Sequence, residues 1–153
     1  MKVIVDTNIV FSAVLNSNGR IGDLLFNSTG LFTFYSCDFL KTELNNHRVK
    51  LVKIAKKMTE SQVDIAVNNV LGQCTLINEK LISGSYWEIA ERITADIDPD
   101  DAAFIALNEQ LSATLWTGDK VLYTGLRAKG YARILNTDDL WSLRVALGDD
   151  SRG

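Results

Sequence analysis

The chain has 153 residues, of which 46% are apolar and 23% charged, as expected for one globular domain with a buried core. No apolar run approaches the roughly 18 to 20 residues that span a membrane, so we expect no membrane association and a cytoplasmic protein. His47 is the only histidine, and Cys37 and Cys74 lie far apart. These counts exclude multi-histidine zinc sites and closely spaced cysteine pairs. We therefore expect carboxylates to carry any catalysis.

The net charge of −3 does not suggest a protein covered with phosphate contacts. Net charge is a weak guide, because acids gathered in one metal site can mask a basic surface elsewhere.

The first quarter of the chain predicts two strands and two helices. A β-branched run at residues 2–6 predicts a buried strand, and its acid at position 6 is unlike a secretory signal. Helices are predicted at residues 7–15 and 21–27. The alternating, aromatic-rich segment 31–37 predicts the second strand.

A long helical segment is predicted next. Asp38 is placed to cap a helix that runs to Lys57 with a break near His47. Thr59 is placed to cap another helix over residues 60–71. Both predictions rest on side-chain oxygens that precede apolar residues at helical spacing.

The middle of the chain continues the alternation of strands and helices. A short third strand is predicted at residues 75–77, and an amphipathic helix at 85–94. Asp98 and Pro99 open a helix that extends to Gln110. Residues 114–117 predict the fourth strand.

The last part of the chain predicts a helix at 120–129, a fifth strand at 132–135 and a helix at 139–146. We predict one α/β domain over residues 1–147, with a flexible tail at 148–153. Strands that alternate with helices favour a central, mainly parallel sheet of about five strands. In such sheets, ligand sites form beyond the carboxyl ends of the strands.

Four acids occupy positions that this rule makes informative. Asp6 follows the first strand, Asp119 follows the fourth, Asp101 lies at the start of the preceding helix, and Glu43 lies in the helix after the second strand. Carboxylates gathered at one edge repel one another and raise one another's pKa values. A hard divalent cation such as Mg²⁺ removes that cost and can activate water for attack on a phosphate.

Each acid also has an ordinary structural interpretation. Asp98 to Asp101 can be a helix start, with a cap, a proline and two acids at the positive end of the helix dipole. Asp119 can be a turn residue, Asp6 can cap the first helix, and Glu43 can be a solvated side chain. Only the combination points to a metal site.

Three segments carry a resemblance to a known family. VIVDTNIVFSAVL, DPDDAAFIAL and LWTGDKVL, in this order and spacing, resemble the sequence blocks of PIN-domain proteins, and FLKTELNNHR supplies the helical glutamate of that pattern. The resemblance implies a three-layer α/β sandwich and Mg²⁺- or Mn²⁺-dependent hydrolysis of single-stranded RNA. Many PIN proteins are toxins of toxin–antitoxin pairs, so the resemblance also implies a small antitoxin partner and a homodimer.

The resemblance assigns roles to two groups of residues. The catalytic, metal-binding acids are Asp6, Glu43, Asp101 and Asp119. The polar residues that support them are Thr7, Asn8 and Thr117, with Asp98 as a less specific match that can also be a helix cap.

A basic segment beside Glu43 is a candidate RNA-binding surface. Its cations are Lys41, Arg48, Lys50, Lys53, Lys56 and Lys57. Helical spacing places Lys50, Lys53 and Lys57 on one face, where they can contact phosphates without reading sequence. The alternative is a solvated helix whose residues Leu51, Val52, Ile54 and Ala55 turn inward.

The three tryptophans can stack bases, but their apolar neighbours favour core positions.

Two further classes of function stay open at this point. A PIN-like module can bind RNA or a partner protein without cutting. A phosphorylated receiver or an aspartate-nucleophile phosphatase is also an α/β protein with an acid after the first strand. The phosphatase pattern requires a second acid where this chain has Asn8, and the adjacent acids of a receiver are not evident.

Overall fold

The computed structural model describes residues 1–152 of the chain, with side chains up to residue 148. The strands are β1 (Lys2–Val5), β2 (Thr33–Cys37), β3 (Cys74–Ile77), β4 (Thr114–Trp116) and β5 (Ile134–Leu135). The helices are α1 (Thr7–Leu15), α2 (Arg20–Phe26), α3 (Leu40–Asn46), α4 (Arg48–Ile54), α5 (Glu60–Leu71), α6 (Gly84–Thr94), α7 (Ala102–Leu111), α8 (Lys120–Ala128) and α9 (Thr137–Arg152). Short 3-10 turns at Glu79–Leu81 and Pro99–Asp101 precede α6 and α7.

The strands form one sheet in the order β3-β2-β1-β4-β5, and every neighbouring pair is parallel. The predicted parallel α/β sheet is therefore confirmed. Receiver domains have the strand order 2-1-3-4-5. The observed order differs, and this excludes the receiver interpretation.

Helices cover both faces of the sheet, and the side chains of β1 therefore alternate between two buried cores. Val3 and Val5 belong to one buried cluster, with residues of α1, α2, α5 and α9. Ile4 belongs to the other, with residues of α6, α7 and α8. Helix, sheet and helix thus make the three-layer sandwich that the resemblance implied. In the described part of the chain, no helix is both long enough and apolar enough to span a bilayer.

Several elements have the predicted bounds. The helix at 7–15 is confirmed, and Thr59 caps α5 by accepting a hydrogen bond from the Gln62 N–H while the Gln62 side chain accepts one from the Thr59 N–H. The buried position of Trp116 is also confirmed. Trp87 and Trp141 are half-buried against the two cores, and the guanidinium of Arg144 lies 4.4 Å from the Trp141 ring.

The helix predicted after Asp38 differs from the structure in two ways. The break near His47 is present, but the second part ends at Ile54, so Lys57 lies beyond α4. Asp38 is not the cap, because Phe39 occupies the cap position and no side chain accepts a hydrogen bond there. The Asp38 N–H instead donates to the Ile77 carbonyl at 2.8 Å, which keeps Asp38 at the end of the sheet.

The C-terminal helix is longer than predicted. α9 continues to Arg152, past the predicted end at Ala146. The flexible tail at residues 148–153 stays a prediction, and residue 153 lies outside the described residues.

Candidate metal centre

The topology places the site between β1 and β4. The chain leaves β1 toward β2 on one side and later returns to β4 on the other, so the two crossovers diverge here. Open parallel sheets bind ligands at such a point, beyond the carboxyl ends of the strands. Asp6 follows β1 and Thr117 follows β4, and the Asp6 N–H donates to the Trp116 carbonyl at 3.4 Å.

Asp6 is a buried carboxylate with a donor on each oxygen. Its Oδ1 accepts the Ile9 N–H at 3.0 Å, which caps α1, and its Oδ2 accepts the Thr117 hydroxyl. Desolvation by burial raises the pKa of Asp6 to about 6, although these two hydrogen bonds act in the opposite direction and the nearby Asp119 adds to the rise. Capping and a role in the site are thus compatible.

Thr117 links two of the acids. Its hydroxyl donates to Asp6, and the same oxygen accepts the Asp119 N–H at 3.0 Å. Asp119 caps α8 because its Oδ1 accepts the N–H groups of Val121 and Leu122 at 2.9 and 3.1 Å. The capping leaves Oδ2 of Asp119 for another ligand.

The turn before α7 contributes two more acids. Asp98 Oδ1 accepts the Asp100 N–H at 3.0 Å, as expected of a cap. Asp101 Oδ2 is buried and has no hydrogen-bond partner among the described residues. Burial, followed by the charges of Asp98, Asp6, Asp119 and Asp100, raises the pKa of Asp101 to about 7.

Glu43 reaches the same region from α3. The Thr7 hydroxyl donates to Glu43 Oε2, so the first helix and the third meet through this pair. The predicted acids therefore line one open cavity of about 210 Å³. The predicted residues on its wall are Asp6, Thr7, Asn8, Glu43, Asp98, Asp101 and Asp119.

The tightest group in this cavity differs from the predicted set of ligands. Asp98, Asp101 and Asp119 each offer an oxygen within 4.8 Å of the others. Asp98 was expected only to support the ligands, whereas its carboxylate belongs to this group. Asp6 and Glu43 lie on the cavity wall with hydrogen-bond donors already in place.

Sequence analysis did not identify Phe11, His47 and Phe104, which also line the cavity. Helical spacing could have identified two of these three residues. Phe11 is four residues after Thr7, and His47 is four residues after Glu43, so each shares a helix face with a predicted site residue. The two rings meet edge to face with their centroids 5.7 Å apart.

The basic segment divides into paired and unpaired cations. Arg48 binds both oxygens of Asp64 at 2.9 and 2.8 Å and also contacts Glu60, which ties α4 to α5. Lys50 and Lys53 are exposed on α4, and Lys41 lies 3.6 Å from Asp38. Since Lys57 lies outside the helix, the helical-face argument holds only for the two lysines of α4.

The inward face of α4 is also smaller than expected. Leu51 and Ala55 are buried, but Ile54 is 51% exposed, so its predicted inward orientation is wrong.

The acids fit a hard divalent cation. Apart from His47, the titratable side chains at the cavity are carboxylates, whose oxygens are the ligand type that Mg²⁺ and Mn²⁺ prefer. Asp101 Oδ2 has no partner among the described residues, and burial together with neighbouring acids raises the pKa values of Asp6 and Asp101, so both carboxylates would be stabilised by a cation. The fold and the site together define an α/β protein with a cavity lined by carboxylates at the switch point of its sheet.

Comparison with known proteins agrees with this class. Residues 4–143 match the profile of the PIN domain, so the chain belongs to the PIN-domain family, a family of nucleases. The fold is similar to a chain in the crystal structure of VapBC2 from Rickettsia felis bound to a DNA fragment from their promoter. That similarity has a TM-score of 0.65 at 15% identity, and covers 89% of this chain and 98% of the other. Among curated proteins, none matches this sequence.

Proposed function

We propose that this protein is a divalent-metal-dependent endoribonuclease that hydrolyses phosphodiester bonds of single-stranded RNA. The observation that carries the proposal is the buried, unpartnered Asp101 oxygen in a group with Asp98 and Asp119. A carboxylate in this state is unfavourable unless a cation or a proton neutralises it. Membership of a nuclease family supports the choice of a phosphodiester as substrate.

In this proposal, Asp98, Asp101 and Asp119 hold Mg²⁺ or Mn²⁺, and Asp6 adds negative charge from the buried side. A bound divalent cation supplies a water of lowered pKa and neutralises charge that develops on the phosphate. Thr117 holds the Asp6 carboxylate in place through its hydroxyl and orients the Asp119 backbone.

Glu43 and Thr7 occupy another wall of the cavity and have a different proposed role. The Thr7 hydroxyl fixes Glu43 Oε2, which leaves Oε1 to accept a proton from the attacking water or to orient it. Asn8 is exposed at the same wall and can donate its amide to a phosphate oxygen.

RNA is proposed to reach the cavity along the exposed side of α4. Lys50 and Lys53 are exposed there and form no ion pair with the residues that the structure describes, whereas Arg48 is occupied by Asp64 and Glu60. Contacts of this kind bind phosphates without sequence preference.

We also propose a small antitoxin protein as partner, a homodimer and a cytoplasmic location. The fold similarity to VapBC2 supports the partner. Two free cysteines, one buried and one half-buried, suit a reducing compartment.

The test of the proposed function is cleavage of single-stranded RNA by wild type, Asp6→Asn and Asp101→Asn with Mg²⁺ or Mn²⁺. We expect each substitution to lower the rate by about 100-fold or more, since each removes charge from the centre. Asp96→Asn is the matched control, because Asp96 is an exposed acid paired with Lys129. Cleavage by both site variants at the wild-type rate would contradict the proposal. Chelator-insensitive RNA binding without cleavage would instead favour a regulatory module.

A further inference from the structure

A second cavity of about 210 Å³ lies beside the metal centre, between the start of α8 and the start of α9. We call it the Tyr123 pocket. Its wall includes Asp119, Lys120, Tyr123, Asn136 and Thr137. Asp119 also lines the acidic cavity, so one side chain separates the two spaces.

The Tyr123 pocket contains two unused hydrogen-bond donors. Lys120 is exposed and forms no ion pair within the described residues. Asn136 accepts the Asp139 N–H with its Oδ1 at 2.8 Å, and this bond fixes the orientation of the amide. The Asn136 Nδ2 group therefore has no partner in the described part of the chain.

An aromatic wall completes the pocket. The Tyr123 hydroxyl donates to Asp139 Oδ2 at 2.7 Å, and the guanidinium of Arg127 lies 4.8 Å from the ring centroid. These contacts hold the ring in position without covering its whole surface, and Tyr123 stays half-buried. Aromatic side chains next to positive charge are the common platform for single-stranded nucleic acid.

The negative charge near the pocket is largely neutralised. Asp138 lies 2.6 Å from Arg20, and Asp139 accepts from both Tyr123 and Arg127. Among the described residues that line the pocket, Asp119 is the acid with no ion pair, and it belongs to the proposed metal centre.

We propose that the Tyr123 pocket binds the nucleoside adjacent to the bond that is cleaved, and that Asn136 selects its base. The inference rests on the proposed function and adds a specificity site to it. The base packs against Tyr123, the Asn136 amide donates to an acceptor on the base edge, and Lys120 contacts the flanking phosphate. A single strand that crosses the metal centre enters this pocket next, because Asp119 borders both cavities.

The test compares cleavage of oligoribonucleotides that differ only in the nucleotide on each side of the cut. In Asn136→Ser the hydroxyl still accepts the helix-capping bond while the amide is lost. We expect this variant to change the ratio of kcat/KM between the preferred and other nucleotides by about 3- to 10-fold. Lys120→Gln should raise KM for all sequences and leave that ratio unchanged. The matched control is Lys2→Gln, because Lys2 is an exposed lysine at the amino end of β1, whereas the pocket lies beyond the carboxyl ends of the strands.

A binding measurement separates this inference from the nuclease proposal. Chemical shifts of the Asn136 amide and the Tyr123 ring are followed with the four nucleoside monophosphates in the presence of a chelator. Shifts in wild type that vanish in Tyr123→Leu but persist in Tyr123→Phe support the pocket, even if no RNA is cut. The inference would be overturned if Asn136→Ser kept the wild-type cleavage preference and no nucleotide changed the chemical shifts. The nuclease proposal would still stand in that case.

Discussion

At the residue scale, Asp6 and Asp101 occupy positions in which the charged form of a carboxyl group is unfavourable. Each carboxylate lies among other acids, and desolvation by burial is the largest cause of each raised pKa. Asp6 is compensated by the Thr117 hydroxyl and the Ile9 N–H, whereas one oxygen of Asp101 is not compensated. The difference makes Asp101 the residue on which the metal proposal depends.

These raised pKa values predict how the stability of the metal-free protein changes with pH. In the unfolded chain an aspartate titrates near 3.9, whereas the folded values are about 6 and about 7. Between these pKa values the folded state therefore binds more protons than the unfolded state. The free energy of unfolding thus falls as the pH rises from about 4 through about 7. Urea unfolding in a chelator should show lower stability at pH 8 than at pH 5.

Asp101→Asn provides the control for this pH dependence. It removes the group with the higher pKa, so its stability should change less between pH 5 and pH 8. An equally steep decline in this variant would show that other groups cause the effect.

Thr117 offers a test of positioning, because its hydroxyl contacts both Asp6 and the Asp119 backbone. Thr117→Val removes a donor that lowers the Asp6 pKa. We expect cleavage to fall by about 10- to 100-fold and the rising part of the pH–rate profile to move to higher pH. Thr117→Ser retains the hydroxyl and should stay close to wild type in both measurements.

At the element scale, short helices and turns bring the acids together. Asp6 and Asp119 are the caps that precede α1 and α8, and their carboxylates accept N–H groups of these helices. The 3-10 turn at Pro99–Asp101 similarly begins after a cap at Asp98. Each cap orients a carboxylate at the edge of the sheet, so the local helix signal and the site share the same residues.

α4 carries the prediction for RNA binding. Lys50→Glu together with Lys53→Glu should weaken binding to single-stranded RNA. It should also reduce the slope of log K against log salt by about 1.4, since each lost phosphate contact accounts for about 0.7. Titrations at several salt concentrations measure this slope. The control is Lys2→Glu at the start of β1. An unchanged slope in the double variant would show that the lysines of α4 contact solvent and not RNA.

At the scale of the whole molecule, the parallel sheet is held between two separate cores, one on each face. The proposed metal centre lies where β1 and β4 end, so it requires both helical layers to be in place. α1 comes from one layer, and α7 and α8 come from the other. Binding at this edge should therefore stabilise the complete fold.

We expect Mg²⁺ or Mn²⁺ to raise the thermal unfolding temperature, because a ligand that binds only the folded state stabilises it. At a concentration of about 100 times Kd the gain is about 2.7 kcal/mol. Calorimetry in increasing Mn²⁺ checks this. Asp101→Asn should respond much less than wild type, and Asp96→Asn should respond as wild type does. Identical unfolding temperatures with metal and with chelator would contradict a metal centre in the folded protein.

Much of this structure could be predicted from local patterns. The alternation of apolar residues in 31–37, the caps at Thr59 and Asp98 and the acids after the first and fourth strands were all visible in the sequence. The end of α4 and the role of Asp38 were not visible in the sequence. A backbone hydrogen bond from the Asp38 N–H to the Ile77 carbonyl decides the position of Asp38. Such a bond depends on a strand that lies far along the chain.

The sequence by itself determined the class of fold and the family, and it identified four acids as candidates for one site, since these follow from periodicity, capping and motif order within short windows. Only the tertiary structure decided that Asp98 joins Asp101 and Asp119, that Arg48 is occupied by Asp64, and that a second pocket adjoins the acidic cavity. Distances between side chains of different elements depend on how strands order and helices pack. That packing is a property of the whole chain and not of any one segment.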